Sequence, residues 1–226
     1  MYRYFIQPQV NVYANSIIGY EMLIRKQAAD GSWRLPKSFS AIPIEIQIAL
    51  LKQTAAELSL KVRTLSFNVN RTQFLDEKMT QALIDAQRQM LPVILVVEVT
   101  EEAGEEQIAS HQLETHGRLL QQYGIQLSLD DVDTGENTYS RIEDLLKVAD
   151  EVKFAMQNFR QEHRETEIPQ KLMNWKSIAE ETRTRLIIEG TETSEEDQML
   201  NDLELPLRQG YYYGKPRLFR FKDDPR

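Results

Sequence analysis

No cysteine occurs among the 226 residues, which excludes disulfide cross-links, thiolate catalysis and cysteine-held zinc. The same absence fits a reducing compartment. Histidine is nearly as scarce: His111, His116 and His163 are all there are. None of the three ends an apolar run, which argues against a zinc hydrolase. His116 shares a helical stripe with Leu113 and Leu120 and reads as a half-buried, hydrogen-bonded side chain, while His111 and His163 read as solvent-facing. No apolar run approaches the roughly 20 residues that span a bilayer. The opening MYRYFIQPQVNVYA lacks the apolar stretch of a signal peptide. Basic residues are also in deficit, with 27 Lys and Arg against 35 Asp and Glu for a net charge of −8. That balance disfavours a broad basic surface for polymeric nucleic acid or an anionic membrane. The expectation is a soluble, cytoplasmic protein.

What is present is a core-forming composition, 41% apolar, with no linker-like or low-complexity block. One domain over 1–226 is expected, without room for a further sensor or cyclase domain. Strand candidates are 4–12, 17–24, 64–69, 93–99, 125–130, 151–154, 185–189 and 207–213. VILVVEV at 93–99 does not alternate, as expected of a parallel strand covered on both faces. Ile44, Ile48, Leu51, Ala55 and Leu58 form one helical stripe behind Pro43. Ala109, Leu113, His116, Leu120 and Tyr123 form a second, and Leu172, Trp175, Ile178, Ala179 and Thr182 a third. Ser194 with Asp197 resembles a capping box opening a last helix with Met199, Leu200 and Leu203. GEEQ and SEED read as acidic helix starts.

Strands alternating with helices predict an α/β chain with a parallel sheet. About eight strands predict a modified (β/α)₈ TIM-like barrel, with a doubly wound open sheet as the alternative. The first two strands have no helix between them, so an antiparallel departure is expected near the N-terminus.

Barrel enzymes place chemistry where strands end. Here the apolar strands end in Asn68, Glu98, Asp130 with Asp131, Lys153 and Glu189, followed by Gln209, while Glu21 lies within the second strand. So many carboxylates in one mouth would repel without cations, and hard oxygen donors of this kind suit Mg²⁺ or Mn²⁺. Adjacent Asp130 and Asp131 could share two ions about 3.5–4 Å apart, as in two-metal phosphoryl hydrolysis. Solvated strand-end carboxylates without a metal are the alternative reading.

At these residues the sequence resembles the EAL-domain phosphodiesterases, a family that hydrolyses cyclic di-GMP. The name motif stands here as Glu21-Met22-Leu23 in GYEMLIR. FIQPQV, LSFNVN, VVEVTEE, LSLDDVDTG, ADEVKF, LIIEGTET and RQGYYYGKP follow the family's order over about residues 4–218. The resemblance implies that Glu21, Asn68, Glu98 and Asp130 hold one metal, and Asp130, Asp131 and Glu189 a second. It implies that Lys153 orients the attacking water and the phosphate, with Lys153, Asp131 and Glu189 as the catalytic set. Gln7, Arg25 and Gln209 would contact the ligand, and Glu192 would brace the loop after the paired aspartates. The implied reaction opens cyclic di-GMP to linear pGpG with two Mg²⁺ or Mn²⁺ ions. A homodimer through roughly 133–146 and a separate signalling protein as partner are implied as well.

The chain departs from the family pattern at three places. The family's phenylalanine and glycine after the paired aspartates are Val132 and Asp133 here. Asp133 has less backbone freedom than glycine, so a shifted loop and a weaker second metal are expected. The family's aspartate two positions beyond the lysine is Ala155, which predicts a less constrained Lys153. Met22 replaces a small alanine and is expected simply to repack. The competing readings are a receptor that binds the nucleotide without turnover and a protein-interaction module. Retention of all the metal and lysine positions favours hydrolysis.

Among the aromatics, Trp33 reads as packing near a turn at Gly31, and Trp175 as core. Tyr211, Tyr212 and Tyr213 read as a strand end from which an exposed ring could stack a base.

Overall fold

The computed structural model describes residues 1–101 and 108–224. The GEEQ stretch and the last residue of VVEVTEE lie outside the described residues. Eight strands close a barrel: β1 (Tyr2–Asn11), β2 (Ser16–Gln27), β4 (Thr64–Val69), β5 (Ile94–Val99), β6 (Gln126–Leu129), β7 (Glu151–Ala155), β8 (Arg185–Glu189) and β9 (Leu207–Gln209). Two short strands, β3 (Trp33–Arg34) and β10 (Arg217–Leu218), extend it beside β2 and β1.

The expected antiparallel departure is confined to β1, which runs against both β2 and β9. From β2 round to β9 every neighbour is parallel. The reason is local. Only Val12–Asn15 separate β1 from β2, too few for the crossover that a parallel pair requires. Central strands are covered on both faces, as the unbroken apolar run of β5 foretold: five of its six residues are buried.

The helices are α1 (Ile44–Leu58), α2 (Arg71–Leu75), α3 (Glu77–Met90), α4 (Ser110–Gln121), α5 (Tyr139–Leu146), α6 (Met156–Gln161), α7 (Ile168–Thr182) and α8 (Ser194–Asp202). The three stripes lie on α1, α4 and α7, with Ala109 and Tyr123 just outside α4. α2, α3, α5 and α6 are additional. Asp76 opens α3 by accepting from the Met79 amide at 2.7 Å, a cap visible in the sequence. The cap of α8 sits one residue earlier than expected. Thr193, not Ser194, accepts from the Glu196 amide (3.2 Å), and the Glu196 carboxylate accepts the Thr193 amide (3.3 Å).

The last barrel strand is shorter than expected, ending at Gln209. Gly210 then brings the backbone so close to Thr191 that a Cβ would lie 2.1 Å from its carbonyl oxygen. Tyr211 and Tyr212 are therefore exposed turn residues rather than a strand end. Trp175 is core, and Trp33 packs edge-on against Phe5 with ring centroids 6.0 Å apart. Met22 is buried in the core, and Thr80 reaches the half-buried His116 ring at 2.9 Å.

Arg208 fixes β9 against α8. Its guanidinium is fully buried and donates to Asp197 Oδ1 (2.6 Å), Asn201 Oδ1 (2.7 Å) and the Leu205 carbonyl (2.7 Å). Tyr213 also donates to Asp197, and burial with that carboxylate pushes its phenol up to about 12. Replacing Arg208 by methionine keeps the stem but strands these acceptors. The expected loss is about 3 kcal/mol, read as a lower urea midpoint with unchanged slope. A midpoint equal to wild type would refute this account of β9.

Candidate active site

The strand ends converge on Lys153. It projects from β7 into the barrel mouth and is fully buried. Its Nζ lies 2.6 Å from Glu189, 3.1 Å from Glu98, 3.3 Å from Asp130 and 3.7 Å from Glu21. An ammonium without water persists only where opposite charge surrounds it. Burial alone would lower its pKa, but the four carboxylates win and hold it well above the ordinary lysine value. The missing aspartate at 155 therefore does not leave the lysine loose. Ala155 is buried beside Glu189, its register partner on β8.

The acids differ among themselves. Burial pushes Glu21 up, yet Lys153, Asn68 and Gln209 outweigh it and hold its carboxyl below the usual range. Asn68 donates to it at 2.9 Å and Gln209 at 2.5 Å. Among the described residues Glu98 has only a long contact from Gln9 (3.5 Å) beside the lysine, and burial raises it well above the usual value. Glu189 and Asp130 are raised for the same first reason. Asp131 is pushed up to about 7, by burial first and then by the Asp130 and Glu101 carboxylates.

The residues expected at the second metal come together. One oxygen from each of Asp130, Asp131 and Glu189 lies within 4.8 Å of the others. Asp131 Oδ1 is buried with no hydrogen-bond partner. Asp130 Oδ1 and Glu189 Oε1 also lack a well-directed donor, although Lys153 stands within ion-pair reach. Buried hard oxygen atoms gathered this closely, with Asp131 Oδ1 unpartnered, fit a divalent cation. Of the first expected set, Glu21, Glu98 and Asp130 meet Lys153, and Asn68 joins them through its bond to Glu21.

Of the residues expected to contact a ligand, Gln7 and Gln209 adjoin Glu21. Gln209 bridges Gln7 and Glu21, donating to Gln7 Oε1 at 3.4 Å, and Gln7 donates to the Gly214 carbonyl. Arg25, half-buried, extends across Phe5. A cavity of about 240 Å³ joins Glu21 and Asn68 to Arg25, with Leu35, Phe39 and Gln73 on its wall. It is an open recess that meets the acid cluster at Glu21.

Glu192 is placed differently from expectation. It pairs with Arg160 on α6 at 3.1 Å, and Arg160 also reaches the Gly190 carbonyl and Glu196. The loop after the paired aspartates is braced by Asn137, which sequence reasoning missed. The fully buried Asn137 amide donates to the Val99 carbonyl (3.1 Å) and to the Asp130 carbonyl. Its oxygen accepts from Arg71 at 3.0 Å. Gln9 was missed too, although it shares the inward face of β1 with Gln7 by simple alternation.

The EAL domain family profile matches residues 2–216. The signalling protein YkoW of Bacillus subtilis is 24% identical over 227 residues, covering 93% of this chain. The chain spans 27% of that relative's length. A standalone versatile EAL protein from Vibrio cholerae O395, solved in a c-di-GMP-bound form, superposes with a TM-score of 0.79 at 21% identity, covering 96% of this chain and 92% of that one. The FimX EAL domain of Pseudomonas aeruginosa, bound to c-di-GMP, gives 0.75 at 18% identity over 96% and 90% of the two chains. At these identities the likeness is one of fold.

The charge balance around Lys153 predicts a pH-dependent lesion. A carboxyl whose pKa rises on folding holds its proton more tightly folded than unfolded, so stability is lost as pH climbs above its unfolded value. For Glu98 and Glu189 that window opens at about 4.5. Lys153, raised above 10.5, contributes fully below that value and loses its contribution only as pH rises through its folded pKa. Lys153→Met should therefore destabilise the metal-free protein more at about pH 8 than at about pH 5.5, because the acids left behind can protonate at the lower pH. Thermal unfolding in chelator checks this, and an equal loss at both pH values would refute it.

Proposed function

The chain belongs to the EAL domain family, and on that premise we propose that it hydrolyses cyclic di-GMP to linear pGpG with two Mg²⁺ or Mn²⁺ ions. One observation carries the reading: a buried lysine amid strand-end acids, one of which, Glu21, also lines a recess with Arg25. On this reading residues 1–226 act as one EAL-type unit in the cytoplasm. Among the described residues no helix is long and apolar enough to cross a membrane.

Glu21, Asn68, Glu98 and Asp130 would hold one ion, and Asp130, Asp131 and Glu189 the other. When bound, such ions acidify a water for attack on phosphorus and neutralise phosphoryl charge. The chain's own groups do the rest. Lys153 keeps its ammonium beside the reacting phosphate, where charge builds in the transition state. Gln209 donates toward the same place, while Gln7 and Arg25 hold the ligand. Glu192 acts through Arg160 to steady α6, the helix whose Asn158 favours the charged form of Asp131.

The alternative is a nucleotide receptor without turnover. Its support is the loop itself, where Asp131 and Asp133 both take left-handed backbone conformations. Incubation with cyclic di-GMP and either metal, with products resolved by chromatography, separates the two. Appearance of pGpG is expected. Asp131→Asn should lower turnover by at least about a hundredfold, the scale of losing one transition-state stabiliser, while sparing nucleotide binding. Binding without product in the wild type would favour the receptor, and undiminished turnover in the mutant would overturn the Asp131 assignment.

A homodimer through 133–146, where Tyr139 is exposed, and a separate signalling partner complete the reading. Sedimentation that returns only monomer would remove the dimer.

A further inference from the structure

Asp131 and Asp133 have φ of 47° and 75°. Neither is glycine, so each left-handed conformation costs about 1–2 kcal/mol and persists only where its surroundings impose it. For Asp131 the constraints are local. Its carbonyl accepts from the Thr134 hydroxyl (2.5 Å) and amide (3.3 Å). The next residue, Val132, is fully buried and donates its amide to the Lys153 carbonyl at 3.0 Å.

Asp133 is held from farther away. Its amide donates to the Asn137 carbonyl (2.9 Å), and its carboxylate meets Lys171 Nζ at 2.6 Å. Lys171 stands in the first turn of α7, next to the fully buried Leu172 and four residues before the buried Trp175. Trp175 in turn packs edge-on against Tyr139, the first residue of α5, with centroids 6.4 Å apart. Helix α7 thus grips the loop between β6 and α5 at both ends. The pair is more enclosed than an ordinary surface pair, with side chains 30% and 18% exposed. The loop bonds fix where the chain passes, but the side-chain tether holds the outward turn of Asp133, and Asp131 lies only two residues away.

We infer that Lys171 is a positioning residue for the second metal set. By tethering Asp133 to α7 it fixes the backbone that aims the Asp131 carboxylate at Asp130 and Glu189. The metal part of this inference rests on the proposed role of Asp131; the tether itself does not.

The test uses Lys171→Met, which keeps the stem and removes the charge, and Lys171→Arg, which restores it. Two quantities are read: hydrogen exchange of the 131–137 amides in the metal-free protein, and Mn²⁺ binding by calorimetry. Lys171→Met is expected to speed exchange at Val132 and Asp133 and to weaken Mn²⁺ binding, each about fivefold, the scale of a favourable exposed ion pair. Lys171→Arg should return both toward wild type. In an Asp133→Gly background, where glycine takes the left-handed conformation freely, Lys171→Met should change neither. Unaltered exchange in the single mutant would overturn the inference. So would tighter Mn²⁺ binding, which would make Lys171 merely a repelling charge. A wild type that binds no Mn²⁺ would overturn the metal reading of Asp131, and exchange would still decide the tether.

Discussion

The site is organised around one enclosed ammonium. Lys153 is fully buried among four carboxylates, so neither side of the arrangement is stable without the other. The lysine stays charged because the acids surround it, and the acids stay close because the lysine separates them. Such a cluster costs desolvation energy that a purely apolar core would not. A buried lysine and perturbed carboxylates gathered in a barrel mouth are the pattern on which the proposed function rests.

The reversed first strand determines which groups can meet there. Because β1 runs antiparallel between β2 and β9, Gln7 lies opposite Glu21 on one side and Gln9 opposite Gln209 on the other. Gln209 can then bridge Gln7 and Glu21. Glu21 is held ionised by Lys153 first and then by the Asn68 and Gln209 amides, beside neighbours whose carboxyls are raised.

Much of this could be read from the chain alone, and for definite reasons. Strand-end polar residues recurring at βα spacing point into one mouth, because parallel strands share a direction. The short β1–β2 connection could only be antiparallel. What escaped reading depends on contacts between segments distant in sequence. Asn137 looks like an ordinary loop polar residue until its amide is seen joining the ends of β5 and β6 to Arg71. Lys171 looks like a solvent lysine on a helix. Glu192 was expected at the loop, but the turn after β8 carries it to Arg160. The short α6 has too few residues to show a period. The end of β9 was misjudged because three consecutive tyrosines mimic a strand, and only the backbone contact of Gly210 with Thr191 shows the turn.

Charge arithmetic connects the enclosed lysine to the proposed chemistry. Five carboxylates, Glu21, Glu98, Asp130, Asp131 and Glu189, face a single ammonium. Fully ionised, the cluster would carry four uncompensated negative charges, a number that two divalent cations neutralise. Without cations, burial first and the neighbouring carboxylates after it raise the proton affinity of Glu98, Glu189, Asp130 and Asp131. Cations and protons thus compete for the same oxygens, and metal binding on the proposed reading releases protons. The same competition explains how a chain of net charge −8 could receive a dianionic ligand. The recess would repel the ligand while its acids stand alone, and would attract it once the local field has been inverted.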